Sequence, residues 1–572
     1  MVSVIPTDEQ RAVIEDDLVS QAIVACAGSG KTLSAVRRMA EIRRRMKQSK
    51  GYVALLSYSN VAVDTFRAEY YKLTRNCRDL SNRVVIATVD SFISTNILLP
   101  HGPQSMGCTC RPFWVHGGEA WLSGFKFYNG AYPVPIKDLA VSLDGNNLVY
   151  TDHSSYGAPK VIAPELVVPV IDKLAKTGAY THGLARYWAL RTLAEQRRLV
   201  EILARRYPFV LIDEAQDIGS MHGALVSVLR EAGITVSLIG DPNQAIYEFA
   251  DADGSFLRTF DSTHAVIRRA LTENRRSVSQ IVGVACALSS SHSKAIREPP
   301  ARKHGAYFLH YSQKDMKGLV DTFKAILSRH GYAEGEAAIL CRGTSLAETV
   351  VGGGSQIGRG ATARLAQAAI YRDRWGDIAE AFQCVVDGVL TLLENPPVRL
   401  GSEIMGCALS ADAKTLRRLL WQFLKRTDLG VPESAFLAKH EWHPHLKERL
   451  PALFGAIESA CHLKRSTTWK NKLTTTDMGD GPLLQSDLIS EGGAQVRTHT
   501  VHKVKGEGID AVLYITRKAD LDNMLSGTYT ENGRIGYVAV TRARDLLIVA
   551  VPANTPTDVI KSLQDKGVTA WS

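Results

Sequence analysis

Short apolar runs separated by stretches of helical period recur along the chain. Ala22–Ala25, Tyr52–Ser57, Val84–Thr88, Phe209–Ile212 and Val236–Ile239 have the composition of buried strands. Between the first two, Ala35, Val36, Met39, Ala40 and Ile42 recur at helical spacing, and Arg11, Ala12 and Ile14 suit a short helix after Thr7–Gln10. A second helical pattern runs from Tyr187 to Arg206 and stops before Pro208. The later half repeats the scheme with Ala337–Leu340, Gln495–Thr500, Ala511–Ile515 and Leu546–Val551. Near-continuous apolar strands alternating with helices predict parallel sheets, with ligands at the carboxyl ends of the strands.

Two stretches break this rhythm. From about Leu99 to residue 160, Gly, Pro, Asn and aromatic residues accumulate without helical period. Residues 376–465 are instead mostly helical, with Trp421, Phe423, Leu424 and Leu437 as candidate core, after a Gly-rich break at Val351–Gly360. At 572 residues the chain is too long for one hydrophobic core. The prediction is an α/β protein of two parallel-sheet domains, each interrupted by an insertion. Residues 1–98 and 186–270 form the first, with 99–185 inserted; residues 271–360 and 491–572 form the second, with 361–490 inserted.

The strongest chemical signal follows the first strand. Gln21-Ala-Ile-Val-Ala-Cys-Ala-Gly-Ser-Gly-Lys-Thr32 reads strand, Gly-rich turn, helix start. Backbone N–H groups of Ala27, Gly28, Ser29 and Gly30 at a helix N-terminus attract phosphate oxygens. Lys31 would reach the outer phosphates of ATP, and the Thr32 hydroxyl would hold Mg²⁺. Phe209–Asp217 ends a strand in adjacent carboxylates. Asp213 is the second Mg²⁺ candidate, and Glu214 the group that positions and deprotonates the attacking water. Val236–Phe249 carries Gln244, placed to sense the outermost phosphate, and Tyr247 and Phe249, whose ring faces suit unstacked bases. Arg276 and Arg542 lie near the second α/β region. An arginine from a second domain can neutralise charge on a transferring phosphoryl group.

Composition adds less. Net charge is +10 with pI near 9.0, which suits a polyanionic partner without identifying one. The densest basic cluster, Arg37, Arg38, Arg43, Arg44, Arg45, Lys47 and Lys50, reads as a solvated helix face. The nine cysteines are scattered, as reduced thiols of a cytosol would be. Cys108 and Cys110 lie near His101 and His116, but no second Cys pair follows at zinc-finger spacing. The first residues carry no secretory leader pattern and no apolar run is long enough to span a membrane.

The order of these stretches resembles superfamily 1 helicases of the UvrD/PcrA/Rep group over about residues 5–95, 185–290 and 495–552. The resemblance implies two RecA-like domains, ATP and Mg²⁺, and movement on single-stranded DNA, 3′ to 5′. By position it implies that Gln10 reads adenine, that Arg37, Arg275 and Glu507 border the nucleotide, and that Lys31, Thr32, Asp213, Glu214, Gln244, Arg276 and Arg542 form the catalytic set. It also implies that Tyr58, Asn60, Thr88, Phe92, Tyr247, Phe249 and His502 line the single-strand track or couple it to ATP. The sequence departs from the pattern at Arg275, where the group has a stacking Tyr; at Ala250, where it has Arg; at Val61, where Lys is common; and at Glu507, where the acidic residue has moved one place. These changes leave the ATP set intact and thin the DNA track. The compact plan is similar to the helicase-like subunit of Gabija antiphage systems, which implies an OLD-family ATPase–nuclease as partner and little unwinding by the chain alone.

Overall fold

The computed structural model describes residues 5–46, 49–75, 82–115, 120–130, 132–153, 160–247, 251–260, 266–343, 346–347, 350, 360–375, 377–397, 400–405, 411–476, 478–483 and 496–571. Six strands make the first sheet: β1 (Gln21–Ala25), β2 (Val53–Ser57), β3 (Val84–Thr88), β4 (Phe209–Asp213), β5 (Thr235–Gly240) and β6 (Ile267–Leu271). Six more make the second: β7 (Gly305–Tyr311), β8 (Ala337–Cys341), β9 (Arg497–Thr500), β10 (Ile509–Ile515), β11 (Ala543–Pro552) and β12 (Thr569–Ala570). Every neighbouring pair in both sheets is parallel. The orders are β6-β1-β5-β4-β2-β3 and β12-β7-β11-β10-β8-β9. Taken in chain order within each sheet, these are the same arrangement, so one α/β topology occurs twice, as RecA-like halves do.

The strands are near-continuously apolar because helices cover both faces. Val53, Ala54, Leu55 and Leu56 are all buried, as are all residues of Ala337–Cys341. Four strands escape the apolar pattern, β9 reading Arg-Thr-His-Thr and the short β12 Thr-Ala. Edge strand β6 alternates exposed Arg268 with partly buried Arg269, and β7 mixes Tyr and His into its run.

Segments between strands carry the additions. Between β3 and β4 lie helices Leu99–Met106, Pro164–Lys176, His182–Glu195 and Arg197–Arg206, and short antiparallel strands at Lys126–Asn129, Tyr132–Pro135, Leu139–Asp144, Asn147–Asp152 and Lys160–Ile162. Their apolar residues join the first sheet in one continuous core. Between β8 and β9, helices Ile378–Leu390, Ala411–Lys425 and His443–Cys461 close a core of their own. Phe423 and Leu424 are buried there and Trp421 packs at its edge, but Leu437, expected inside, is exposed.

Among the described residues no helix is long and apolar enough to cross a membrane. The seven cysteines among them are free thiols. Cys108 and Cys110 donate to backbone carbonyls of Cys110 and Thr177, and no described group of three His, Cys, Asp or Glu could hold a metal ion. His116 lies outside the described residues.

Candidate nucleotide site

Gly28 (φ +75°) and Gly30 (φ +80°) take the left-handed backbone that the turn after β1 requires. Lys31 then opens the helix Lys31–Arg45. The loop is braced from both halves of the chain. Ser29 Oγ donates to the Cys26 carbonyl at 2.8 Å, and Asn274 Nδ2 to the Ala27 carbonyl at 2.7 Å. Gln10 Nε2 donates to the Ser29 carbonyl at 2.8 Å, while its Oε1 accepts from Thr7 N at 3.1 Å. Arg275 N donates to the Gly28 carbonyl at 2.9 Å, and its guanidinium reaches the Ile5 carbonyl at 3.1 Å. Arg37 lies close enough to Arg275 that burial and then that neighbouring charge lower its pKa. Gln10, Arg37 and Arg275 thus gather beside the loop, away from the carboxylates.

On the other side, β4 delivers Asp213 and Glu214. Lys31 Nζ is 3.7 Å from Glu214 Oε2. Asp213 is buried, and its Oδ1 has no hydrogen-bond partner. Burial first, then the adjacent Glu214 charge, raises the Asp213 pKa. Burial acts on Glu214 in the same sense, but Lys31 and then Lys505 outweigh it and hold Glu214 ionised. The orphaned oxygen, on the residue next to an ionised carboxylate that lies 3.7 Å from Lys31 Nζ, is of the kind that suits a divalent cation.

Glu214 sits at φ +54°, outside the usual range for a side-chain-bearing residue. Gln216 explains how it is held. Its Nε2 donates to Glu214 Oε2, and its Oε1 accepts from Asp241 N at 3.0 Å. Gln216 is fully buried and was not singled out from sequence, although it stands inside the acidic motif.

The loop after β5 crosses to the second half. Gln244 donates to Asp241 Oδ2 at 2.8 Å and accepts from Arg542 Nη2 at 3.1 Å. Arg542 is buried and also donates to the Glu507 carbonyl at 3.1 Å. Arg276 donates to the carbonyls of Thr541 and Gly506 at 3.2 and 3.1 Å. Glu507 brings its carbonyl to this group, while its carboxylate pairs with Arg497 at 2.7 Å. Asp217 and Lys505 form a buried ion pair at 2.6 Å across the two halves. Burial, only partly offset by Lys505, lifts Asp217 to about 6. Neither residue was given a role from sequence, since their partnership spans 288 positions.

The expected DNA-track residues divide. Tyr247 and His502 meet, with ring centroids 5.8 Å apart, Lys505 Nζ lies 4.6 Å from the Tyr247 ring, and His502 donates to the Ile246 carbonyl at 3.1 Å. Asn60 is exposed at the start of its helix, and Thr88 caps the next one by accepting from Ser91 N at 3.1 Å. Phe92 does not offer a ring face: it is buried, edge-on to Tyr207 at 4.9 Å, because its helix turns it into the first core. Tyr58 is half-buried with its hydroxyl 3.4 Å from His222 Nδ1. His222 in turn reaches Asp90 at 3.2 Å, and Asp90 also meets His182 at 3.2 Å and Arg186 at 3.4 Å. Phe249 lies outside the described residues.

A family model described as the UvrD/REP helicase N-terminal domain matches residues 177–265, which hold both the acidic motif and the Gln244 loop. The chain is 36% identical over 127 residues to the RecBCD enzyme subunit RecB of Borreliella burgdorferi, covering 20% of this chain and 11% of that protein. It is 26% identical over 112 residues to a "Probable DNA helicase II homolog" of Mycoplasma capricolum, covering 19% and 16%. It is 32% identical over 92 residues to the "Putative ATP-dependent DNA helicase YjcD" of Bacillus subtilis, covering 16% and 12%. The matches therefore span 11–16% of the length of these relatives. Over these stretches the chain is similar to UvrD-like superfamily 1 helicases.

Proposed function

We propose that this chain is an ATP-dependent translocase of the superfamily 1 helicase type, cytoplasmic and moving 3′ to 5′ on single-stranded DNA. The observation that carries the reading is the Gln244–Arg542 bond at 3.1 Å, which ties a phosphate-facing loop of one sheet to a buried guanidinium of the other. Lys31, Arg276 and Arg542 would neutralise the outer phosphates of ATP. Glu214, held ionised and fixed by Gln216, would take the proton of the attacking water. Thr32 and Asp213 would hold Mg²⁺, which when bound adds positive charge at those phosphates. Loss of the outermost phosphate would remove the ligand that Gln244 and Arg542 share, and the two halves would part. The test is ATP hydrolysis by the purified chain with and without single-stranded DNA, using Glu214→Gln as blank. DNA-stimulated turnover that the blank lacks supports the reading; turnover unchanged in the blank removes it.

A second reading is favoured by the burial of Phe92 and the engagement of Tyr58 by His222, which leave fewer rings for bases. In it the chain is a DNA-stimulated ATPase that licenses an OLD-family ATPase–nuclease in antiphage defence. Duplex unwinding measured with and without that partner separates the two.

A further inference from the structure

Two buried oxygens at the carboxyl end of the first sheet have no partner, and the strand register sets them side by side. β2 and β4 pair from Val53 with Phe209 to Leu56 with Ile212, so one further step brings Ser57 beside Asp213. Successive side chains of a strand point to opposite faces. Val53, Leu55 and Leu211 lie in the core that Ala35, Val36 and Met39 of helix Lys31–Arg45 complete, whereas Ala54, Leu56, Val210 and Ile212 lie in the core of the other face. Ser57 and Asp213 therefore belong to the face of that helix. The helix follows β1 and returns against the direction of the strands, so it begins at their carboxyl ends, where Lys31 Nζ lies 3.7 Å from Glu214 Oε2. Ser57 is fully buried, and its Oγ makes no hydrogen bond with any described residue; the same holds for Asp213 Oδ1. Thr88, the neighbour of Ser57 on its other side, has its hydroxyl engaged in accepting from Ser91 N.

We infer that Ser57 is a positioning residue of the nucleotide site, whose hydroxyl and Asp213 Oδ1 together hold one water of the divalent cation's shell. The inference rests on the translocase reading and adds to it a residue that the motif pattern leaves without a role. A buried hydroxyl with no partner costs about 1–3 kcal/mol, and native folds satisfy such groups with water or an ion where the polypeptide supplies nothing. Neighbouring strands are about 4.8 Å apart, wider than a direct hydrogen bond and within the span of one bridging water. A small divalent cation keeps several waters of its own, so groups that fix those waters also fix the cation. A cation-bound water has two protons to donate, and the carboxylate oxygen and the serine oxygen give it two acceptors. Alanine at this position would leave that water with Asp213 alone.

The experiment is a titration of the full chain with Mn²⁺ in the presence of ADP, read by electron paramagnetic resonance, for wild type, Ser57→Ala and Ser57→Thr, with melting curves of each in a metal chelator. Ser57→Ala should bind Mn²⁺ about tenfold more weakly, the lower end of what groups that orient a metal's ligands contribute, while ADP without metal binds both chains equally. Without metal, Ser57→Ala should melt no lower than wild type, because the hydroxyl it loses has no bond to give up within the described protein. Ser57→Thr keeps the hydroxyl and should recover most of the Mn²⁺ affinity. Equal Mn²⁺ affinity in wild type and Ser57→Ala overturns the inference while the translocase reading stands. A loss in Ser57→Thr as large as in Ser57→Ala, or a lower metal-free melting temperature for Ser57→Ala, also overturns it, by giving the position to packing. Failure of the wild type to take up Mn²⁺ with ADP overturns both.

Discussion

The most informative residues are polar groups that have been buried with their partners chosen. Gln216 is one. It spends its amide N–H on Glu214 and its carbonyl on Asp241, so it holds the proposed base in a left-handed backbone position that would otherwise relax. Gln216→Ala should lower the rate of ATP hydrolysis by roughly ten- to a hundredfold, a share of what a positioned general base contributes, with nucleotide affinity little changed. Single-turnover hydrolysis beside equilibrium nucleotide binding checks it; equal rates would show that Glu214 is held by other means. His222 is another. Burial drives its pKa down to about 4 despite the hydrogen bond to Asp90. The folded state keeps the ring neutral while the unfolded chain takes up a proton below pH 6.5. Between pH 6.5 and about 4 the unfolded state therefore binds more protons, and stability falls as pH falls. Asp90 works in the same direction. Burial would raise its pKa, but hydrogen bonds from His182 and His222 and the charge of Arg186 hold it well below the usual carboxylate range, so its contribution is lost only at strongly acid pH. Between pH 7 and pH 5, urea denaturation should show His222 contributing about 2 kcal/mol, read as the part of the pH difference that His222→Gln removes, since buried Asp213 and Asp217, whose pKa values are raised, titrate in the opposite sense in both chains. An equal difference in the variant would assign the pH dependence elsewhere.

At the scale of elements, the phosphate loop is local and legible: strand, turn glycines, lysine and helix are consecutive, so one stretch of sequence specifies the geometry. Its surroundings are not. A Cβ on Gly28 would lie 2.5 Å from Arg276 Cβ, so the loop is packed against a segment some 250 positions away. Gly28→Ala should cost about 1–3 kcal/mol in backbone strain alone and at least tenfold in nucleotide affinity, because either the loop or Arg276 must move. Gly107→Ala is the control: it shares a positive φ of +64° but has nothing within 4 Å of the added carbon, so it should lose stability without losing nucleotide. Melting curves and binding of a fluorescent ATP analogue for the two variants decide the matter. The same contrast explains what the sequence disclosed of the fold. Central strands such as β2 and β8 were legible because burial on both faces makes them continuously apolar. Edge strand β6 was not, since Arg268 and Arg269 interrupt it. The short strands of the first insertion were hidden by Gly, Pro and polar residues, and they form through antiparallel pairing with their neighbours rather than through a strong apolar run of their own. Phe92 shows the limit for single aromatics: ring and spacing suit a base or a core equally, and only the packing of its helix on Tyr207 assigns it to the core.

At the scale of the molecule, the two sheets meet largely through polar contacts, with buried Ile246 of the loop after β5 set into the second sheet's apolar core. Besides Gln244–Arg542, Thr528 donates to Asn243 Oδ1 at 2.8 Å, Arg534 to the Ala245 carbonyl at 2.5 Å, and Tyr537 to Asp241 Oδ2 at 3.2 Å. Most of these cluster on the loop after β5, so one segment serves as the seam. Hydrogen bonds exchange readily with water, which suits a cleft that must open and close in every cycle. The buried Asp217–Lys505 pair is the exception, because each charge depends on the other when both are out of water. Removing one partner leaves the other buried alone, a loss of about 3–5 kcal/mol, whereas replacing both with apolar residues of similar size is often nearly neutral. Lys505→Met and Asp217→Leu should therefore each destabilise the closed arrangement, and the double variant should recover much of the loss. A double-mutant cycle from urea denaturation gives the coupling directly. A coupling of several kcal/mol with recovery in the double variant would identify the pair as a latch that is costly to break. Additive losses would mean that the halves already separate in solution and that the pair closes only with nucleotide, in which case ATP should restore the coupling in the same cycle.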